Sequence, residues 1–172
     1  MDLSTMVARI HCVFTPGATE MKVFLMGLLL FAYSGVFARD LPSAPSPTIE
    51  ERLRNARDAI RAKDWTNALA ELQDAAREEP RNADVHNLLG YSYRKRGKPD
   101  LAKAFEHYEM ALRLDPAHRG AHEYIGEAYL LDGRLAEAEK HLVALEKLCG
   151  NKTCEEYADL ERAVSDYRAR KK

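Results

Sequence analysis

The sequence predicts an all-α protein of stacked helix pairs, with an export signal in front. Three observations lead there. The 172-residue chain is rich in Ala, Leu, Glu, Lys and Arg, which favour helix, and it has no β-branched run with the period-two alternation of a strand. The chain also aligns on itself: Gly90 matches Gly126, Tyr93 matches Tyr129 and Gly97 matches Gly133. Pro80 and Pro116 then close two of the repeating units, each followed by a short polar stretch. Hydrophobic content of 46% is ordinary for a globular chain, and a formal net charge of −1 gives no basis for a nucleic-acid partner.

The N-terminal segments come first. Residues 1–20, with Cys12, read as a start-site extension, because Met21-Lys22 opens the layout of a secretory signal peptide. A short charged start precedes an apolar core from Val23 to Tyr33, and Val36 and Ala38 stand at the −3 and −1 positions of a small-residue cleavage site. Cleavage is expected after Ala38. The core is short for a membrane span, which needs about 20 apolar residues. The alternative is an uncleaved membrane anchor. Residues 39–48 hold three prolines in ten and form a linker, so the folded part should begin near Ile49.

The repeats follow. One unit reads His86-x-x-Leu89-Gly90-x-x-Tyr93, then Ala104-x-x-x-Tyr108-x-x-Ala111, then Asp115-Pro116. The next reads His122-x-x-Ile125-Gly126-x-x-Tyr129, then Ala138-x-x-x-Leu142-x-x-Leu145. A weaker unit before them reads Ala56-x-x-Ala59, then Ala68-x-x-x-Leu72-x-x-Ala75, then Pro80. These units resemble the tetratricopeptide repeat, a helix-turn-helix of about 34 residues with the pattern W-x-x-L-G-x-x-Y…A-x-x-x-F…P. The small residues mark close helix crossings, and the large ones fill the space beside them. His86 and His122 replace the usual Trp. The middle unit carries two extra residues around Lys98-Pro99-Asp100, with Pro99 expected in a helical first turn.

The resemblance implies a right-handed α-solenoid of three repeats, at 49–82, 83–118 and 119–152. Helices are expected near 49–62, 66–78, 83–96, 100–114, 119–132 and 135–148. A seventh, near 153–169, carries Tyr157, Leu160, Val164 and Tyr167 on one stripe and would cap the stack, ending in a basic tail at 172.

Catalytic signatures are missing from the sequence. There is no nucleophile elbow, P-loop or Gly-rich dinucleotide loop, so neither enzyme activity nor a cofactor is expected. His118 and His122 are spaced i, i+4 but have no third ligand placed with them, so no metal is expected. Trp65 should lie in the turn between the first two helices and pack locally.

The resemblance directs attention to a concave groove lined by the first helix of each pair. The positions mapped onto it are Glu50, Leu53, Arg57, Ile60 and Arg61, then Asp84, Asn87, Tyr91, Arg94 and Lys95, then Glu123, Glu127, Leu130 and Leu131. Basic side chains gather on the first two repeats and acidic ones on the third. A peptide or helix docked there would be anchored by Tyr91 and gripped at acidic groups by Arg57, Arg61 and Arg94.

Export also bears on the two remaining cysteines, because disulfides persist in an oxidising compartment. Five positions along a continuous helix would separate Cys149 from Cys154 by about 7.5 Å of rise, beyond disulfide reach, but Gly150-Asn151 breaks the helix between them. A bond there would tie the last repeat to the capping helix. Zinc would find only two ligands, and redox-active pairs usually have the closer C-x-x-C spacing.

The resulting expectation is a periplasmic or secreted interaction module, an adaptor or assembly factor of the cell envelope. Its partner would be another protein or a peptide, with no membrane contact after signal cleavage. The alternatives are a thiol–disulfide active protein using Cys149 and Cys154, and a self-associating structural module forming a homo-oligomer.

Overall fold

The computed structural model describes residues 46–171. The start-site extension, the signal peptide and most of the linker lie outside the described residues. Among the described residues seven helices follow one another: α1 (Ile49–Arg61), α2 (Trp65–Glu78), α3 (Ala83–Lys95), α4 (Leu101–Leu114), α5 (Arg119–Leu131), α6 (Leu135–Cys149) and α7 (Glu155–Arg170). The described residues contain no strand.

Local chemistry sets the helix starts. Thr48 and Glu51 form a capping box at α1: the Glu51 N–H donates to the Thr48 hydroxyl oxygen, and the Thr48 N–H donates to the Glu51 carboxylate. Asp64, Asn82 and Asp100 cap α2, α3 and α4 through their side-chain oxygens. Asp64 in this role makes Trp65 the first residue of α2, so Trp65 is helical rather than in the turn. Asp100 likewise displaces Pro99, which precedes the cap and lies outside the helix.

The turns explain the repeat spacing. Ala62–Asp64 and Asp132–Arg134 are three-residue connections, whereas residues 96–100 form a five-residue one. The two extra residues expected in the middle repeat are here. In the short turns the central residue has positive φ, 57° at Lys63 and 79° at Gly133. Gly97 does not adopt this conformation; its sequence match to Gly133 is not a conformational one, because the longer turn removes the need.

Helices within pairs pack on one another, and each pair packs on the next. One apolar cluster joins the first two repeats to the start of the third, through Leu53, Leu72, Val85, Leu89, Tyr108 and Ile125. A second cluster joins the third repeat to α7, through Leu130, Leu145, Tyr157, Leu160 and Val164. Gly90 lies under the Tyr108 ring, and a Cβ there would come within 2.6 Å of it. Gly126 lies under Leu160 of α7, with a Cβ approach of 2.7 Å. The close crossing at Gly126 is therefore made with the capping helix, not with α6. Leu53, expected in the groove, is buried in the first core instead.

Candidate peptide-binding groove

On the first-helix face α3 packs on α5 and α5 on α7, while α1 joins the stack through α2. Tyr91 of α3 is half-buried, and its ring centroid lies 4.9 Å from that of Tyr124 on α5 and 6.4 Å from that of Trp65. Tyr124 was absent from the sequence-derived groove. A Tyr at that position reads equally well as core, and only the helix stacking places it beside Tyr91.

Arg94 sits at the centre of this face and is only 4% exposed. Its guanidinium carbon lies 5.5 Å from the Tyr91 centroid and 5.6 Å from that of Tyr124. Its Nε donates to the Tyr108 hydroxyl at 3.2 Å, and its Nη1 lies 2.5 Å from a Glu127 carboxylate oxygen. Burial opposes the Arg94 charge, but Tyr108 and Glu127 outweigh it and hold its pKa above the ordinary value. Arg94, expected as a free cation for a partner's acid, is thus already paired within the chain. The same is true of Arg61, which is exposed and ion-paired to Asp58. Arg57 and Lys95 are exposed on the same helix faces.

Asn87 and Glu123 are also more enclosed than a groove lining requires, at 6% and 8% exposure. Burial, followed by the charges of Glu127 and Asp159, pushes the Glu123 carboxyl up to about 8. The same burial raises the Tyr124 hydroxyl to about 12. Two polar atoms on this face are buried without a hydrogen-bond partner, Asn87 Oδ1 and Arg94 Nη2. Beside Arg94 opens a cleft of about 240 Å³, walled by Glu127, Leu130 and Leu131 of α5 and by Ala163, Asp166 and Arg170 of α7. Leu131 is 61% exposed at its rim. The contribution of α7 to this wall could not be mapped from the repeats, because that helix belongs to none of them.

The other residues singled out in the sequence have defined places. His118 caps α5, accepting at Nδ1 from the Ala121 N–H, and its Nε2 is 3.0 Å from Asp84 Oδ1, so both ring nitrogens are engaged. Cys149 and Cys154 are joined across the α6–α7 turn with their Cα atoms 6.1 Å apart. Gly150, which ends α6, takes the left-handed conformation that folds the chain back. Glu156 brings a carboxylate within 4.8 Å of both sulfurs, but sulfurs bonded to each other offer no thiolate to zinc.

A stack of helical hairpins with an aromatic and charged first-helix face is the architecture of a helical-repeat protein. The tetratricopeptide-repeat family model matches residues 53–116 and 100–149, more than half of the chain, and the protein belongs to the tetratricopeptide-repeat family. No curated protein sequence matches the chain. Several solved structures share its fold. The TPR2B domain of yeast Sti1 in complex with a pHsp70 peptide is 15% identical, with a TM-score of 0.63, covering 71% of this chain and 97% of that one. The Yersinia enterocolitica type III secretion chaperone SycD, in complex with a peptide of the translocator YopD, is 20% identical, with a TM-score of 0.63 and coverage of 74% and 98%. The first repeat domain of Spaghetti (RPAP3), bound to the HSP90 peptide SRMEEVD, is 17% identical, with a TM-score of 0.61 and coverage of 73% and 97%. At these identities the likeness is one of fold.

Proposed function

We propose that the protein is an exported interaction module that holds a peptide or helix of a partner protein in its first-helix groove, without catalysis. One observation carries this reading: Tyr91 of α3 and Tyr124 of α5 form a half-buried aromatic pair with Arg94 set against both rings, beside a cleft of about 240 Å³ whose rim carries the exposed Leu131. The structural relatives support the reading, since the Sti1, SycD and Spaghetti domains are each bound to a peptide.

The cationic contribution comes from the exposed Arg57 and Lys95, while Arg94 orients Glu127 and the two Tyr rings. The partner segment is therefore acidic toward repeat 1 and apolar toward the Leu130–Leu131 wall. The signal-peptide layout of residues 21–38 supports a site of action in the periplasm or outside the cell, and with it a role as an adaptor or assembly factor of the envelope. In that compartment the Cys149–Cys154 bond stays oxidised and staples α7 beside the groove.

The test is a pull-down with the exported chain from envelope extract, identification of the bound protein, and titration with variants. Loss of the captured protein on Tyr91→Ala, with Val143→Ala on the outer surface of α6 as control, supports the groove. Capture that survives Tyr91→Ala and Arg57→Glu together contradicts it.

A further inference from the structure

Two histidine pairs occupy equivalent places in the second and third repeats. His86 of α3 faces His107 of α4, with Nδ1 atoms 3.1 Å apart, and His122 of α5 faces His141 of α6, with Nδ1 atoms 2.9 Å apart. In each pair the first-helix histidine reaches back to the proline that closes the preceding repeat. His86 Nε2 is 3.0 Å from the Pro80 carbonyl oxygen, and His122 Nε2 is 3.1 Å from that of Pro116. A carbonyl oxygen only accepts, so His86 and His122 carry their proton on Nε2. Their Nδ1 atoms are then acceptors, and His107 and His141 must donate from Nδ1. The tautomer of all four rings follows from these contacts.

The surroundings repeat as well. Tyr93 stacks on His107 at 5.6 Å between centroids, and Tyr129 stacks on His141 at the same distance. Charged and polar groups near the first pair are Glu106 and Lys103 on α4, Arg96 over the Tyr93 ring, and Gln73 of α2 bonded to the Tyr93 hydroxyl. Near the second pair they are Glu137 and Lys140 on α6, Arg134 over the Tyr129 ring, and Glu109 and Arg113 of α4 in the same cleft.

Each pair can take one added proton without losing its bond, on Nε2 of His107 or His141. A second has only Nδ1 of His86 or His122 to go to. Two N–H groups and two positive rings would then face each other across about 3 Å, so the bond breaks.

We propose that the two histidine pairs form an acid-sensitive latch, which holds α3 on α4 and α5 on α6 near neutral pH and releases them when both rings of a pair become charged. Burial, then the neighbouring His86, lowers the His107 pKa, and burial, then His122, pushes His141 down to about 4. With folded values below the unfolded value of about 6.5, the stabilisation is fully present above about pH 6.5 and is lost as pH falls toward the folded values. The helices released carry Tyr91, Arg94, Glu123 and Glu127, so acidification loosens the groove while its basic side chains keep their charge.

The test compares the full chain with its H86Q/H107Q/H122Q/H141Q variant by denaturant unfolding between pH 6.5 and 5. Glu123 acts in the opposite sense over this range, and it is common to both chains. The unfolding constant of the wild type should rise at least ~10-fold more than that of the variant, since one extra proton taken up on unfolding is tenfold per pH unit. Equal rises would overturn the latch. Nitrogen-15 spectra of the wild-type imidazoles supply a second, mutation-free reading. They should show Nδ1–H tautomers for His107 and His141 and Nε2–H tautomers for His86 and His122. Four Nε2–H tautomers would equally overturn it.

Discussion

Lys63 is the one described residue other than glycine with positive φ, and it occupies the turn position that Gly133 fills in the third repeat. A side chain in the left-handed region costs about 1–2 kcal/mol, partly offset by the larger entropy a glycine loses on folding. Lys63→Gly should therefore raise stability by about 0.5–1 kcal/mol in thermal denaturation. Glu123 makes a prediction of its own. Its folded pKa of about 8 lies above the unfolded value, so its stabilisation is complete below about pH 4.3 and is lost as pH rises through 8. Glu123→Gln removes that loss, and at pH 8.5 the variant should be roughly 2–4 kcal/mol more stable than the wild type. Coincident pH profiles would contradict the assignment. Neither residue could be understood from the sequence alone. Arg94 shows why: its place on a mapped groove position was legible, but its bond to Tyr108 and its ion pair with Glu127 depend on residues 14 and 33 positions further along the chain meeting at one point.

Helix positions, in contrast, were largely legible, because caps and turns are local chemistry. Thr48, Asn82 and Gly150 mark element ends that pattern reading finds. The differences at Trp65 and Pro99 come from one cause, the capping aspartate that fixes the first residue of α2 and α4. The close approach at Gly126 was legible too, but not its partner, since α7 belongs to no repeat. Overpacking costs about 1–3 kcal/mol, so Gly126→Leu should destabilise the fold by at least that and more than Tyr91→Ala does. Equal melting temperatures for wild type and Gly126→Leu would show that α7 yields freely. At the other end of α7, Cys149→Ser with Cys154→Ser should cost about 2 kcal/mol through the short loop the bond closes. Free-thiol labelling of both cysteines in exported protein would show that the staple is not formed there.

Over the whole molecule, the chain builds three helix pairs and then uses a seventh helix for two purposes. It covers the apolar end of the third repeat through Tyr157, Leu160 and Val164, and it adds Ala163, Asp166 and Arg170 to the wall beside Arg94. The groove is thus polarised, with the exposed cations Arg57 and Lys95 on α1 and α3 and an apolar wall of mixed charge toward α7. That polarity sets the direction in which a partner segment would lie. The most direct measurement is titration of the captured partner with wild type, Tyr91→Ala and the outer-surface control Val143→Ala, each checked for folding by circular dichroism. Tyr91→Ala should weaken binding by about 2 kcal/mol, chiefly through faster dissociation, while the control binds as the wild type does. Wild-type affinity in a folded Tyr91→Ala variant would place the partner on another surface.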